Sequence, residues 1–428
     1  MMIYLDTIGC RLNQSEIEAY ARQFRIAGYT LTAHPEEADL AVINTCTVTT
    51  QADSDSRQKI RQVARKGGAQ IIVTGCWATL NPSAAASLPG VARVIPNAAK
   101  DTLVADLLGL PLEASELAPI EREPLPGARL RTRAFIKAQD GCDNSCTYCI
   151  TTLARGPSHS RVLPEVLADV CAAVRGGTQE IVLTGVHLGS WGQDFDPPQP
   201  LHHLIEAVLA HTDVRRVRLS SLEPWDLDEG FFRLWENPRL CRHLHLPLQS
   251  GSPVTLQRMR RKTTPQAFAA LVETARAAIP DVAITTDVMV GFPGEDEVEF
   301  TESLRFVADL HFSGGHVFTY SARPGTTAAC MVPQVPHPLR KARNAQMRHA
   351  LSEAALTFRQ RFIGQEVSAL WEGAQNLTGL HGYQDWKLTG LTDNYLRVTA
   401  HAPEAMWNQI SRVKLTATSE QGLFGQIE

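Results

Sequence analysis

Short apolar runs alternate with stretches whose apolar residues recur every three to four positions, and this alternation predicts most of the fold. Met2–Asp6, Leu40–Ile43 and Gln70–Thr74 read as strands, and residues 15–27 and 54–66 as amphipathic helices between them. Repeated strand–helix units imply a parallel sheet. The same rhythm returns further on, with strands predicted at Arg133–Ala138, Glu180–Thr184, Arg216–Ser220, His243–Pro247, Ala283–Val290 and His316–Tyr320. Six units with helices such as Pro164–Val174 between them suggest a partial (β/α)6 barrel. After a long helical stretch over 339–362, the period drops to two around Glu366 and Asn394, as in a small antiparallel β-barrel. The expected class is α/β. An N-terminal parallel-sheet α/β domain takes 1–112, a stiff Pro- and Glu-rich linker 113–131, the central barrel 132–362 and the small β-barrel 363–428.

Composition narrows the class without fixing a function. The chain is 44% apolar and 20% charged, with no apolar run of membrane-spanning length and no basic-then-apolar start of an export signal, so a cytoplasmic protein is expected. A net charge of −4 excludes a global field for nucleic acid, leaving local basic patches around Arg57 and around Arg258 to Lys262. Each such patch is as well explained as a solvated helix face. Nine cysteines, unevenly placed, are too few for a disulfide scaffold and suit metal ligation in a reducing compartment.

Three of these cysteines, Cys142, Cys146 and Cys149, lie in one tight loop directly after the strand that ends at Ala138. Three thiolates on one loop can occupy three corners of a cluster and leave the fourth open, whereas electron-storing clusters and structural zinc fill all four. A zinc knuckle lacking its last ligand is the plainer alternative. Cys10, Cys46 and Cys76 each fall just past a predicted strand, in the turn before a helix. In an open parallel sheet those turns share one edge, so a second trio converges there. Buried structural thiols are the alternative for any one of them. Cys171, Cys241 and Cys330 are isolated and read as structural.

The later strands of the barrel end in Leu183-Thr-Gly-Val-His187, Ser220-Ser-Leu-Glu223, Leu246-Pro-Leu-Gln249-Ser250-Gly251 and Val290-Gly291-Phe-Pro-Gly. Gly185, Gly251 and Gly291 would let a bound ligand approach the backbone, and Glu223, Gln249 and Ser250 offer groups to orient it, although each segment alone is as well explained as ordinary turn chemistry. Tyr383, Trp386, Tyr395 and Arg397 of the last domain offer stacking and phosphate contacts. The alternative is that such aromatics form the barrel's own core, above all Trp371.

Cys142-x3-Cys146-x-Tyr148-Cys149 resembles the signature of radical S-adenosylmethionine (SAM) enzymes. In that superfamily three thiolates hold a [4Fe–4S] cluster, SAM chelates the open iron, and one electron releases a 5′-deoxyadenosyl radical. Over nearly its whole length the chain resembles the methylthiotransferase branch, whose C-terminal barrel is of the TRAM type. Thr7-Ile-Gly-Cys10-Arg-Leu-Asn13 and Asn44-Thr-Cys46-Thr-Val-Thr-Thr-Gln-Ala-Asp53 are most similar to the threonylcarbamoyladenosine tRNA subgroup. Thr152 and His159 depart from the pattern, while Arg155-Gly156-Pro157 and Ser160-Arg161 keep it.

The resemblance implies two [4Fe–4S] clusters, one on Cys142, Cys146 and Cys149 and an auxiliary one on Cys10, Cys46 and Cys76. It implies SAM near Tyr148, Gly185, Glu223, Gln249, Ser250 and Gly291. It implies tRNA, at its anticodon stem-loop, near Arg57, Arg155, Arg161, Tyr395 and Arg397, and an electron donor such as flavodoxin or ferredoxin. The implied reaction adds a methylthio group at C2 of the adenosine beside the anticodon. A polar threonylcarbamoyl substituent calls for cationic and hydrogen-bonding groups, which the helix start Ser54-x-Ser56-Arg57 is placed to supply. Relatives acting on isopentenyladenosine or on a ribosomal protein, and a non-catalytic iron–sulfur RNA-binding sensor, are the alternatives.

Overall fold

The computed structural model describes residues 1–109, 126, 132–228, 230–377 and 384–427. The expected linker and Tyr383 lie outside the described residues, apart from Pro126.

Near the N-terminus, β1 (Met2–Thr7), β2 (Thr30–Thr32), β3 (Leu40–Thr45), β4 (Gln70–Gly75) and β5 (Val91–Val94) form one parallel sheet in the order β2-β1-β3-β4-β5. Strand β3 is buried along its whole length, as its unbroken apolar run requires at the centre of a sheet covered on both faces. Helix α1 (Arg11–Ile26) covers one face with Ile17, Tyr20 and Phe24. Helix α2 (Thr50–Lys66) covers the other with Ile60 and Val63. Both helices begin one turn earlier than their apolar stripes predict. Polar first turns carry no apolar signal, and for α2 the side chain of Thr49 caps the helix by accepting from the Ala52 N–H.

The middle of the chain contributes β6 (Arg133–Lys137), the short antiparallel pair β7 (Gln139–Asp140) and β8 (His159–Ser160), then β9 (Glu180–Thr184), β10 (Arg216–Leu219), β11 (His243–His245), β12 (Ala283–Val290) and β13 (Gly314–Thr319). Two parallel sheets, β10-β9-β6 and β11-β12-β13, are joined by single bridges such as Ser221 to His245. The result is an open, curved six-stranded wall. Its convex side carries the helices and the largest apolar core, in which Ile136, Leu183, Leu219 and Ile284 meet Val166, Leu204 and Phe268.

The last domain is a closed barrel of β14 (Glu366–Asn376), β15 (Trp386–Thr392), β16 (Arg397–Ala402), β17 (Ile410–Ser419) and β18 (Gly422–Ile427). The expectation of antiparallel pairing holds except for β16 and β18, which run parallel to close the ring. Trp371 is fully buried in its core. This barrel sits against the strand starts of the central wall: Arg216 donates to the Ser368 carbonyl at 2.8 Å, Arg218 to that of Thr392 at 3.1 Å, and Arg133 pairs with Glu372 at 2.7 Å. No helix among the described residues is long and apolar enough to cross a membrane.

Candidate cluster sites and their junction

Strands β1, β3 and β4 are adjacent and parallel, with Thr7 opposite Asn44 and Thr45 opposite Gly75, so the turns that follow them lie side by side. Cys10 precedes α1, Cys46 follows β3, and Cys76 opens a short helix, Cys76–Leu80. Gly75 has φ +92°, and a Cβ on it would stand 2.3 Å from the Thr45 carbonyl oxygen, so only glycine allows this tight entry to Cys76. Likewise a Cβ on Gly9 would fall 2.9 Å from the Cys46 sulfur, which shows how closely the Cys10 turn overlies Cys46.

Cys46 and Cys76 are buried and Cys10 is exposed, giving the trio one open side. Burial pushes the Cys46 thiol up to about 11, with Cys10 and Cys76 adding to the effect, and burial also raises that of Cys76. Thiols gathered in this way ionise only against a cation.

The second trio lies on the loop between β7 and the short helix Thr151–Arg155. Gly141 (φ +68°) starts the loop where a side chain would collide with Pro157, and the Cys149 N–H donates to the Cys146 carbonyl at 3.1 Å. Sulfurs here accept hydrogen bonds: Cys142 from the Asn144 N–H at 3.4 Å, and Cys146 from Arg261 at 3.8 Å. Burial raises the Cys146 thiol's pKa, and Arg261 opposes that rise. Tyr148 packs edge-on against Phe292 at 6.4 Å.

Among the described residues no three His, Cys, Asp or Glu side chains converge on a single ion. The thiol-only donor sets, with N–H groups aimed at the sulfurs of Cys76, Cys142 and Cys146, fit iron–sulfur clusters.

The two trios share one junction. The helix Thr151–Arg155, which starts two residues after Cys149, docks on the auxiliary edge. Asn97 donates to the Cys76 sulfur at 3.6 Å and to the Ala154 carbonyl at 2.7 Å. Arg155 donates to Asn13 at 2.6 Å, Glu16 at 3.0 Å and Asp140 at 2.8 Å. Lys100 and Lys137 complete the network, Lys100 on Glu16 and Asp140, and Lys137 on Asp140 at 3.0 Å. Although burial disfavours its charge, Arg155, Lys100 and Lys137 hold the Glu16 carboxyl down at about 2.

Several expected contacts find other roles. Arg155 is buried in this network and is not available to RNA. Arg161 is engaged with Glu165 and Asp169, and Asp169 also binds Arg22 of α1 at 2.6 Å, so this set likewise joins the domains. Tyr395 is stacked on His243 at 4.1 Å, with Arg218 against its ring, and so is occupied internally. Ser56 is buried, bonded to the backbone N–H and carbonyl of Cys46. The notion that it meets a substrate substituent is therefore corrected. Arg57 and Arg397 are exposed.

At the barrel mouth, Glu223 is bound by Arg261 through two contacts, at 3.1 and 2.5 Å. Gln249 takes a left-handed conformation (φ 71°) with its backbone tied to β12, which leaves its half-buried side chain as the usable group. Ser250 is buried, its hydroxyl accepting from the Ser252 N–H within the turn. The space beside the three glycines is already filled: Gly185 by Gln139, Gly251 by Phe306 and Ser303, and Gly291 by Arg340. Their missing side chains serve internal packing rather than nucleoside approach.

Sequence reasoning missed the role of Arg261, which it read either as part of a basic patch for nucleic acid or as a solvated face, and the pair His187–Asp226 at 2.6 Å. Burial disfavours the charged form of His187, but hydrogen bonds to Asp226 and Cys142 outweigh it and raise its pKa to about 10. The signals in the sequence were the four basic residues within Arg258 to Lys262 and the position of His187 just past a predicted strand.

Comparison with known proteins agrees with this geometry. Residues 2–95 match the model of Uncharacterized protein family UPF0004, and residues 136–307 that of the Radical SAM superfamily. The chain is 36% identical over 424 residues to threonylcarbamoyladenosine tRNA methylthiotransferase MtaB of Bacillus subtilis, spanning 96% of this chain and 93% of that one. It is 31% identical over 443 residues to a tRNA-2-methylthio-N(6)-dimethylallyladenosine synthase of Caldicellulosiruptor saccharolyticus, spanning 99% and 92%. The radical SAM methyltransferase TsrM of Kitasatospora setae, solved with cobalamin and a [4Fe-4S] cluster, aligns with a TM-score of 0.58 at 14% identity over 77% of each chain, a likeness of fold alone. Two thiol trios on the matched domains and full-length relatives at this identity lead to one conclusion: the chain belongs to the radical SAM methylthiotransferases, of the threonylcarbamoyladenosine tRNA methylthiotransferase type.

Proposed function

We propose that this protein methylthiolates C2 of N6-threonylcarbamoyladenosine at position 37 of tRNA, using two [4Fe–4S] clusters and SAM. The observation that carries this reading is the junction, where one short helix that follows the second thiol trio docks on the edge that carries the first.

Cys142, Cys146 and Cys149 would hold the cluster that binds SAM, and Cys10, Cys46 and Cys76 the auxiliary one. When bound, these groups supply a carbon-centred radical and the sulfur that is transferred. The chain's own residues hold and screen. Arg261 places a positive charge beside Cys146 and fixes Glu223 at the mouth, and His187 does the same at Cys142. Tyr148 and Phe292 exclude water from one side of the loop. Arg323 ties Thr47 and Asp53, just after Cys46, to the loop that follows β13, at 2.8 and 2.6 Å, and so sets how far the two domains part.

RNA would run along exposed cations: Arg57 with Arg61 and Arg65 on one stripe of α2, and Arg397 on the C-terminal barrel. A flavodoxin- or ferredoxin-type donor would supply the electron. The test is mass spectrometry of tRNA nucleosides from cells lacking the gene. The 2-methylthio form should disappear and threonylcarbamoyladenosine accumulate; an unchanged nucleoside profile refutes the proposal.

A further inference from the structure

The concave side of the barrel wall carries a polar floor that neither thiol trio uses. Side chains alternate along strands. Ile136, Leu219, Leu244 and Ile284 pack outward, so Phe135, Arg218, His243, His245, Thr285 and Asp287 face inward. Tyr395 closes the floor from below by stacking on His243. A hydrogen-bonded chain crosses it: Thr285 Oγ1 lies 2.9 Å from both His243 Nε2 and His245 Nδ1, and His245 Nε2 lies 3.3 Å from Asp287. Two atoms in this chain, Asp287 Oδ1 and His243 Nδ1, are buried with no partner among the described residues.

The charge inventory of this floor does not balance. Four guanidiniums, those of Arg11, Arg133, Arg216 and Arg218, face three carboxylates: Glu372 on Arg133, Glu180 on Arg218 with Arg216 at 3.9 Å, and Asp287 on His245. Arg11 reaches the same floor, its guanidinium 5.9 Å over the Phe135 ring and donating to the Tyr395 hydroxyl at 3.3 Å. Among the described residues no carboxylate pairs with it. It also follows Cys10, the exposed thiol of the auxiliary trio. A half-buried guanidinium without a counterion, next to the open side of that site, suits an anionic group that arrives with the substrate.

Building on the substrate reading above, we propose that Arg11 binds the carboxylate of the threonylcarbamoyl group, while Asp287 accepts from its urea N–H or hydroxyl. The threonylcarbamoyl group brings one negative charge to a floor with one unmatched positive charge, and it brings donors to an unpaired acceptor. An isopentenyl group brings neither, and would leave these buried polar atoms unsatisfied.

The experiment uses the full, reconstituted chain and anticodon stem-loops bearing threonylcarbamoyladenosine, its carboxylate methyl ester, or unmodified adenosine. Wild type should bind the free acid about ten- to a hundredfold more tightly than the ester, the range for one charged hydrogen-bonded pair. Arg11→Ala should lose that preference and bind acid and ester alike, and Arg11→Lys should restore part of it. Iron content and the affinity for unmodified stem-loop serve to show that Arg11→Ala is intact. If wild type does not favour the threonylcarbamoyl stem-loop over the unmodified one, the substrate reading fails. If it does, and Arg11→Ala still separates acid from ester, the assignment of Arg11 is wrong. Should Arg11→Ala lose iron, Arg11→Gln and Arg11→Lys are compared instead, with the same criterion.

Discussion

Arg155 ties the first domain to the central wall through Asn13, Glu16 and Asp140. Its guanidinium and the carboxylates of Glu16 and Asp140 are almost completely shielded, so removing the cation leaves buried negative charge facing a poorer set of partners. Arg155→Ala should cost about 3–5 kcal/mol, the range for breaking a buried pair from one side, read as a lower urea midpoint. The network also sets a pH response. Glu16 sits at about 2 in the folded chain against 4.5 for a free side chain, so the unfolded chain binds more protons in between. Its stabilising contribution is complete above about pH 4.5 and is lost as pH falls towards 2. Glu16→Gln should flatten that part of the urea-midpoint profile; an unaltered profile would mean the carboxylate is not held low. Sequence reading took Arg155 for an RNA contact, because nothing local to Arg-Gly-Pro reveals a partner 139 positions away. The cysteines were legible for the opposite reason, since their spacing and strand-end positions are local.

At the scale of elements, hydrophobic period found every strand of the central wall and the two covering helices of the first sheet. It overlooked β2 and β5, which are short edge strands with few buried positions. It also missed the inward face of the wall, because Arg218, His243 and Asp287 look polar along the sequence whether they face solvent or a lumen. The C-terminal barrel is the element whose role changes most. It plugs the strand starts of the wall, with Tyr395 on His243 and Arg242 on Asp393 at 2.7 Å. Deleting residues from 364 onward should therefore lower the melting temperature of the rest, rather than remove RNA binding cleanly. Its part in RNA binding is better tested by Arg397→Glu. That variant should weaken tRNA affinity and reduce the slope of log affinity against log salt by about one. An unchanged slope would assign the RNA path elsewhere.

For the whole molecule, the proposed function requires two clusters meeting at one junction with the threonylcarbamoyl substituent between them. The Cys142/Cys146/Cys149 triple alanine variant should keep about half the iron and lose SAM cleavage, since under the proposed assignment each trio would hold one four-iron cluster. The Cys10/Cys46/Cys76 triple should keep cleavage and lose methylthiolation; retained methylthiolation would remove the auxiliary site from the mechanism. The most direct measurement offers the reconstituted enzyme, with SAM and reductant, an equal mixture of tRNA bearing threonylcarbamoyladenosine and tRNA bearing isopentenyladenosine, and counts methylthio nucleosides by mass spectrometry. The product expected is 2-methylthio-N6-threonylcarbamoyladenosine with little of the isopentenyl product; preference for the isopentenyl tRNA would overturn the substrate assignment.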